Sequence, residues 1–234
     1  MYSKADTHIH TNYSDGLLSP EETVEYVARH TDLRVIAITD HDTAEGSFVA
    51  QEYALKRKLF LEVIIGQEVS TEEGDIIGLF MKTTLPAYQT AQEAISAIHA
   101  QGGLAVAAHP FSRWSTLNNM KGVGTQIFTL PLDGVEVRNG FPANIFSNPL
   151  TAWLNYFMGQ NLAAMGGSDS HAPSTIGQPY TYFPGRTAAD LRQAIETKMV
   201  RAGGSLWTPL GLARLLPLLL KQGGLPSYKE AYSD

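Results

Sequence analysis

The chain has 234 residues, of which 44% are hydrophobic, a size that favours one barrel-sized domain with a substantial core over two domains. Its 17 basic and 23 acidic residues give a net charge of -6, which disfavours tracking of a nucleic-acid backbone or binding to an anionic membrane. Cysteine is absent, which excludes disulfides, thiolate metal sites and cysteine nucleophiles, so any metal must have nitrogen and oxygen ligands.

The first half of the chain alternates strand and helix signals. A short strand is expected to end at His8 and His10, and Ser19-Pro20-Glu21-Glu22 fits a capping box that begins a helix. Apolar runs at residues 35–39 and 61–65 predict buried strands, with a helix over residues 43–58 between them. Residues 68–81 then predict a strand, a Glu-Glu-Gly turn and a second strand.

The second half continues this alternation. A capping box at Thr90 and a helix start near Thr187 predict two more helices. Strands are predicted at residues 104–108, 134–137 and 162–165, whereas residues 111–132 predict a long loop of the kind that often covers an active site. Because parallel strands need crossover connections, the alternation favours an α/β fold, a closed or nearly closed β/α barrel.

Histidines and carboxylates gather where the predicted strands end. The clusters are Asp6-Thr7-His8-Ile9-His10, Asp40-His41-Asp42, Glu68, His109-Pro110 and Asp169-Ser170-His171. Catalytic groups of a β/α barrel project from the carboxyl ends of its strands. Residues two apart on a strand share a face, so His8 and His10 can hold one ion. The pattern predicts a polynuclear hydrolytic metal site, and its ligand types suit zinc, manganese or iron.

Each cluster also has an ordinary structural interpretation. His109 can be a buried histidine satisfied by backbone groups, and Asp40 and Asp42 can cap the next helix. Asp15, which precedes a glycine, can belong to a turn. The common position at strand ends favours the metal site, because turns and caps do not explain why all the clusters share it.

The order and spacing of these motifs closely resemble those of the polymerase and histidinol phosphatase (PHP) superfamily. The matching segments are Thr7-His8-Ile9-His10, Ser14-Asp15-Gly16, Ile38-Thr39-Asp40-His41-Asp42, Gly66-Gln67-Glu68-Val69-Ser70, Ala108-His109-Pro110 and Gly167-Ser168-Asp169-Ser170-His171. The resemblance covers about residues 5–204 and implies a distorted (β/α)7 barrel. We expect the barrel to occupy residues 1–205 and a helical tail, residues 206–234, to pack on it or at an interface.

The resemblance implies three metal positions, filled by two or three divalent ions (manganese, iron or zinc). The first would be held by His8, His10, Glu68 and Asp169. Glu68 would bridge to a second, which also takes His109. The third would be held by Asp15, His41 and His171. Related proteins place a further histidine at the second position, where this chain has Asp75, so either Asp75 is a carboxylate ligand or the second position is weakened or empty.

The implied chemistry is hydrolysis of a phosphate ester. Neighbouring ions can lower the pKa of a bridging water, which is the hypothesised nucleophile. Guanidinium groups match phosphate geometry, which favours arginine at the phosphoryl group. The resemblance makes Arg113 the first candidate to bind that group and assist its transfer, because related phosphoesterases carry a basic residue shortly after His-Pro, and Arg138 is the second candidate. Either arginine can instead be a surface ion-pair partner. Asp42 or a metal-bound water is the candidate acid for the leaving group.

The favoured substrate is a small phosphorylated metabolite, such as a nucleotide, a nucleoside bisphosphate or a similar phosphomonoester. An exonuclease on short oligonucleotides and a non-catalytic metal-binding barrel are the alternatives. No long nucleic acid and no stable membrane insertion are expected, and an oligomer is possible. We expect a cytoplasmic protein, because His8 and His10 lie too close to Met1 for a signal peptide to precede them.

Overall fold

The computed structural model describes residues 1–112, 121–157 and 161–209. Strands and α-helices alternate along most of these segments. In chain order they are β1 (Tyr2–Asp6), α1 (Pro20–His30), β2 (Leu33–Ile38), α2 (Glu45–Arg57), β3 (Glu62–Val69), β4 (Ile76–Leu79), α3 (Ala91–Ala100), β5 (Leu104–Ala107), β6 (Gly134–Asn139), α4 (Ser147–Phe157), β7 (Ala163–Gly167), β8 (Pro179–Pro184), α5 (Ala188–Glu196) and β9 (Arg201–Gly204). Short 3-10 turns occupy Gly124–Phe128, Pro142–Ile145 and Pro173–Thr175.

Within the described segments the strands form one sheet in the order β7-β6-β5-β4-β3-β2-β1-β8-β9. The pairs β1/β2, β2/β3, β5/β6 and β6/β7 are parallel, whereas β4 is antiparallel to β3 and β5, and β8 is antiparallel to β1 and β9. Thr181 on β8 meets β7, because its Oγ1 accepts from the Gly166 N–H at 2.9 Å. The sheet is therefore nearly closed, which confirms the predicted α/β barrel of distorted PHP type.

The sequence signals for individual elements are largely confirmed. Capping boxes begin α1 at Ser19, α3 at Thr90 and α5 at Thr187. The segment predicted as strand, turn and strand forms the antiparallel pair β3/β4. Helix α4 and strands β8 and β9 were not predicted. Of the predicted 111–132 loop, the described part includes the 3-10 turn Gly124–Phe128.

The predicted tail, residues 206–234, is described only as far as Pro209. Trp207 is buried, and its indole Nε1–H donates to the Ser168 carbonyl at 2.7 Å. The rest of the tail lies outside the described residues, so the domain division at residue 205 stays a prediction. No helix in the described segments is long and apolar enough to cross a membrane.

Strand ends on one side of the sheet position the polar clusters. Residues just beyond the strands continue the ladder through isolated parallel bridges, Ile9 with Ser170 and His41 with Glu68. These bridges draw the segments after β1, β2 and β7 together with the end of β3. The clusters that are distant in sequence therefore meet at one edge of the barrel, as the carboxyl ends of parallel strands do.

Ser47 on α2 ties two of these strands together. Its Oγ lies 2.6 Å from the Ile38 carbonyl oxygen and 2.9 Å from that of Gly66, and it accepts from the Gly66 N–H at 3.0 Å. Ser47 is fully buried, so these groups have no access to water in its absence. The hydroxyl fixes the carboxyl end of β2 beside β3, next to His41 and Glu68.

We predict that Ser47→Ala lowers the free energy of unfolding by about 1–3 kcal/mol, the usual cost of leaving buried polar groups unpaired. Ser96→Ala is the matched control, because Ser96 is exposed on α3 and its change should stay within about 0.5 kcal/mol. Urea unfolding of the metal-free proteins measures both. Equal stabilities for the two variants would contradict the role given to Ser47.

Candidate metal centre

The first group of side chains surrounds the Nε2 atoms of His8 and His10, which lie 3.1 Å apart. Glu68 Oε2 is 3.2 Å from the first of these nitrogens and 3.3 Å from the second. Asp169 Oδ1 is 3.5 Å and 3.3 Å from the same two atoms. All four side chains are buried. The predicted first-position residues are therefore brought together with their donor atoms converging.

The second group uses the other oxygen of the same carboxylate. Glu68 Oε1 lies 3.3 Å from His109 Nε2. Ligand atoms of Glu68, Asp75 and His109 all lie within 4.8 Å of one another. Asp75 is buried, and its Oδ2 accepts from the Lys121 N–H at 3.1 Å. The structure thus brings Asp75 together with Glu68 and His109, while its role as a ligand in place of the expected histidine stays a prediction.

The third group lies on the more open side. Asp15 Oδ1 is 3.1 Å from His171 Nε2, and Asp15 Oδ2 is 3.8 Å from His41 Nε2. His10 belongs to this group as well as to the first. The side chains of Asp15 and His171 are each 15% exposed and that of His41 is 18% exposed, whereas His8 and His10 are fully covered. A ligand from solvent would therefore reach the third group first.

The buried oxygen and nitrogen atoms fit divalent cations. Glu68 Oε1 has no hydrogen-bond partner among the described residues, although an imidazole nitrogen lies close to it. Buried carboxylate oxygens are normally hydrogen-bonded or bound to a metal. Convergent imidazole and carboxylate donors without any thiolate suit manganese, iron or zinc. The residues present therefore fit the metal group that the resemblance implies.

The charges in the centre depend on one another. Burial opposes protonation of His10, but hydrogen bonds to Asp169 and Glu68 outweigh it and raise the pKa of His10 to about 10. Burial opposes ionisation of Asp169, yet the positive charge of His8 and the hydrogen bond from His10 hold its pKa far below the usual range. Protons on the imidazoles thus balance the carboxylates, and divalent cations would replace those protons on binding.

Asp75 differs from the other carboxylates. Burial and the nearby charge of Glu68 raise the pKa of Asp75 to about 8. An isolated pair of buried carboxylates cannot both ionise cheaply, whereas a cation between them removes the repulsion. The Asp75 position is therefore one at which a bound metal would change the protonation state.

Three residues of the centre have backbone conformations that side chains rarely adopt. Asp42, His109 and Asp169 have φ values of +51°, +25° and +52°. Such conformations cost roughly 1–3 kcal/mol each and collect at functional sites. They turn the chain sharply where the strands end, which aims the side chains of His109 and Asp169 into the centre.

Glu136 and Asn139 on β6 support the ligands and were missed as functional residues. Glu136 Oε1 lies 3.0 Å from His8 Nδ1, and Oε2 accepts from the His109 N–H and from Asn139 Nδ2, both at 3.0 Å. Asn139 Nδ2 also donates to Asp169 Oδ2 at 3.2 Å. A glutamate inside an otherwise buried strand run was the available signal. These contacts fix the ring of His8, as partners of metal-bound histidines usually do.

Asp40 is an organiser rather than a helix cap. Its carboxylate accepts from the Thr11 N–H at 2.6 Å, from Thr11 Oγ1 at 2.7 Å and from Ser14 Oγ at 2.8 Å. The N-cap of α2 is Ala44, which has no side-chain cap. The alternative interpretation, in which Asp40 and Asp42 cap the next helix, is therefore wrong, because Asp40 instead holds the loop that carries Asp15.

The other predicted site residues are placed differently. Asp42 Oδ1 accepts from the Ser70 N–H at 2.8 Å, and its Oδ2 is buried with no hydrogen-bond partner in the described residues. Arg138 is exposed, and its guanidinium donates to the Gly204 carbonyl at 2.8 Å, which engages it with β9. Arg113 lies outside the described residues. Roles in substrate binding for both arginines stay predictions.

Fold and site together define an α/β barrel with adjoining clusters of potential metal ligands at the carboxyl ends of its strands. The family model of the PHP domain matches residues 6–124, and that of the PHP-associated region matches residues 155–198. The chain belongs to the PHP family.

Two curated relatives illustrate the range of similarity. An uncharacterized protein of Methanocaldococcus jannaschii is 40% identical over 149 residues, which are 59% of this chain and 82% of that protein. The 5'-3' exoribonuclease Rnm of Salmonella typhimurium is 42% identical over 88 residues, which are 35% of this chain and 29% of the exoribonuclease. The second similarity is local.

Solved structures agree on the fold. A two-domain protein from Bacteroides vulgatus, described as containing a predicted PHP-like metal-dependent phosphoesterase, has a TM-score of 0.67 at 21% identity, over 88% of this chain and 65% of that one. PsfC from Pseudomonas syringae has a TM-score of 0.68 at 17% identity, over 94% of this chain and 99% of that one. At these identities the likeness concerns the barrel.

We predict that Asp75→Ala lowers the bound metal by about one ion per chain, because the second group then loses one of its carboxylates. Asp75→Asn is the matched variant, since an amide oxygen can still accept from the Lys121 N–H but lacks the charge. Elemental analysis after loading with manganese, iron or zinc measures the stoichiometry. An unchanged metal content in Asp75→Ala would remove Asp75 from the ligand set.

Glu136→Gln should weaken metal binding by about 10- to 100-fold, the usual effect of removing an outer partner of a metal-bound histidine. Glu52→Gln is the control, because Glu52 is exposed on α2 and pairs with the exposed Lys56 at 2.6 Å. Titration of the metal-free proteins with manganese gives both affinities. Equal affinities for the two variants would show that the Glu136 contact does not support the centre.

Proposed function

We propose that this chain is a metal-dependent phosphoesterase that hydrolyses a small phosphorylated metabolite, such as a nucleotide, a nucleoside bisphosphate or a similar phosphomonoester. The observation that carries the proposal is the shared carboxylate of Glu68. Its Oε2 faces His8 and His10, while its Oε1 faces His109. One bridging carboxylate between adjoining ligand groups is suited to ions held close together, and such ions clamp a phosphoryl group from two sides.

The ligand groups differ in burial and in access from solvent. His8, His10, Glu68, His109 and Asp169 would hold two ions in the buried part, and His10 with Asp15, His41 and His171 would hold a third near solvent. When bound, such ions supply positive charge for phosphoryl oxygens and lower the pKa of water. The partly exposed third group supports entry of the phosphate from that side.

We propose that Asp42 is the acid that protonates the leaving group, and its surroundings support this role. Its Oδ1 is held by the Ser70 N–H, which leaves the buried Oδ2 without a hydrogen-bond partner in the described segments. Its negative charge is near enough to Asp75 to contribute to the raised pKa of that group. The Asp42 carboxyl is thus held at a fixed position near the second group, which is the placement that an acid for the leaving group requires.

A second candidate function is exonuclease activity on short oligonucleotides. The local similarity to the exoribonuclease of Salmonella typhimurium favours it, because the 88 matched residues are 42% identical. A net charge of -6 supports short substrates over long nucleic acids for this chain. Both candidate substrates present a phosphate to the same centre, so they differ in what binds beside it.

We predict that the manganese-, iron- or zinc-loaded protein releases phosphate from phosphomonoesters or nucleoside bisphosphates faster than it shortens 5'-phosphorylated trinucleotides. His10→Ala should lower the turnover more than about a hundredfold, because loss of a ligand costs at least as much as loss of an outer partner. His30→Ala is the matched control, since His30 lies on the outer helix α1, where its tilted ring has its centroid 4.9 Å from that of Tyr26.

Three other outcomes have distinct meanings. Preferred cleavage of the trinucleotide would support the exonuclease instead. Activity that survives His10→Ala would assign the turnover to a contaminant. Absence of turnover with every substrate and all three metals, in protein shown to contain metal, would favour a non-catalytic metal-binding barrel.

A further inference from the structure

Helix α4 directs polar residues inward. Thr151 and Asn155 are buried, and Asn155 exchanges hydrogen bonds with the Leu162 backbone, donating at 3.1 Å and accepting at 3.0 Å. Asn148 exchanges a similar pair with the Asn139 backbone at 2.9 Å and 3.0 Å. The helix is therefore fixed to the barrel largely through amides, with its apolar residues left for the other side.

The opposite side forms an apolar stripe, which we call the α4 outer face. Its main residues follow at intervals of four, three and four, the spacing of neighbours along one side of a helix. They are Phe146, Leu150, Trp153 and Phe157, which are 83%, 45%, 52% and 65% exposed. Ile145 and Tyr156, 54% and 73% exposed, flank them. The Trp153 and Phe157 rings touch, with centroids 5.5 Å apart.

A continuous exposed apolar stripe of this kind is expected to contact another apolar surface. Single exposed apolar residues are ordinary, whereas contiguous apolar patches on proteins mark contact surfaces. The spacing along the α4 outer face is also that by which a helix packs against another apolar segment. The remaining question is which segment covers it.

The described chain ends close to the segment that leads into this face. Trp207 donates its backbone N–H to the Gly140 carbonyl at 2.8 Å and packs edge-on against Phe141, with ring centroids 5.4 Å apart. Phe141 directly precedes the turn Pro142–Ile145 that leads into α4. The last described residue, Pro209, is two positions further on. Thr208 then donates its backbone N–H to Gln178 Oε1 at 2.6 Å. Chain beyond Pro209 therefore starts within a few residues' reach of the segment that leads into the α4 outer face.

The sequence that follows has the matching composition. Seven of the eleven residues from 210 to 220 are leucine, which makes this leucine-rich segment the most apolar stretch near that end of the chain. Eleven residues span about 16 Å even at the short rise of an α-helix, which equals the length of an eleven-residue helix such as α4. The segment is thus long enough to follow the whole face.

We propose that the leucine-rich segment 210–220 covers the α4 outer face of its own chain. The attachment at Trp207 makes the contact intramolecular, so the segment meets the face at a high effective concentration. A second copy of the chain would have to reach the same face by diffusion, in competition with this tethered segment. The inference is independent of the proposed function, because it concerns a surface formed by α4 and not the metal centre.

Because the chain contains no cysteine, one introduced thiol reports on the face. The test compares Leu150→Cys in the full chain with Leu150→Cys in a chain that ends at Pro209. Labelling by a thiol reagent should be at least about tenfold slower in the full chain, since a covered thiol reacts only through local opening. Leu55→Cys, at a position that is 71% exposed on α2, is the control and should react equally in both.

A second variant avoids truncation. In the full chain, Leu215→Glu with Leu219→Glu should raise the labelling of the Leu150→Cys thiol to the rate of the shortened chain, with an unchanged circular dichroism spectrum. Equally fast labelling in full and shortened chains would overturn the proposal. So would slow labelling that persists in the shortened chain and becomes slower as protein concentration rises, because that result assigns the face to a second copy.

Discussion

The structure depends on one constraint: a buried carboxylate, Glu68, must be balanced by positive charge on several sides. Its oxygens lie 3.2 Å from His8, and 3.3 Å from each of His10, His41 and His109. Burial penalises the negative charge, but these imidazoles hold the pKa of Glu68 far below its usual range. Segments that follow three different strands must therefore converge on the end of β3, and the nearly closed barrel brings them there.

Hydrogen bonds from residues around the centre hold these side chains in place. Glu136 fixes His8 and the backbone of His109, and Asn139 links Glu136 to Asp169. Close approach is possible because Gly167 has no side chain, where a Cβ atom would collide with the Glu136 carboxylate and lie 2.7 Å from the His8 Cβ. The candidate metal ligands are thus positioned by a second layer of polar groups on β6, which fixes side chains that come from separate loops.

Much of this could be predicted because the signals are local. The capping boxes at Ser19, Thr90 and Thr187 each indicate a helix start from four consecutive residues. Buried strands are recognisable as short aliphatic runs. Helix α4 was not predicted because its amphipathic pattern is inverted, with Thr151 and Asn155 buried and Trp153 exposed. Strand β8 was not predicted because it has a proline at each end, and prolines are typical of turns and edge positions.

The sequence by itself determined the residue types of the centre and their order along the chain, because metal chemistry restricts ligands to a few side chains and strand ends are visible as local patterns. Only the tertiary structure decided which residues meet. In the folded chain Asp75 lies beside Glu68 and His109. Asp40 binds the loop that carries Asp15 and does not cap the helix, and Arg138 donates a hydrogen bond to β9. These outcomes rest on distances between segments far apart in the chain, and such distances follow from packing and strand register.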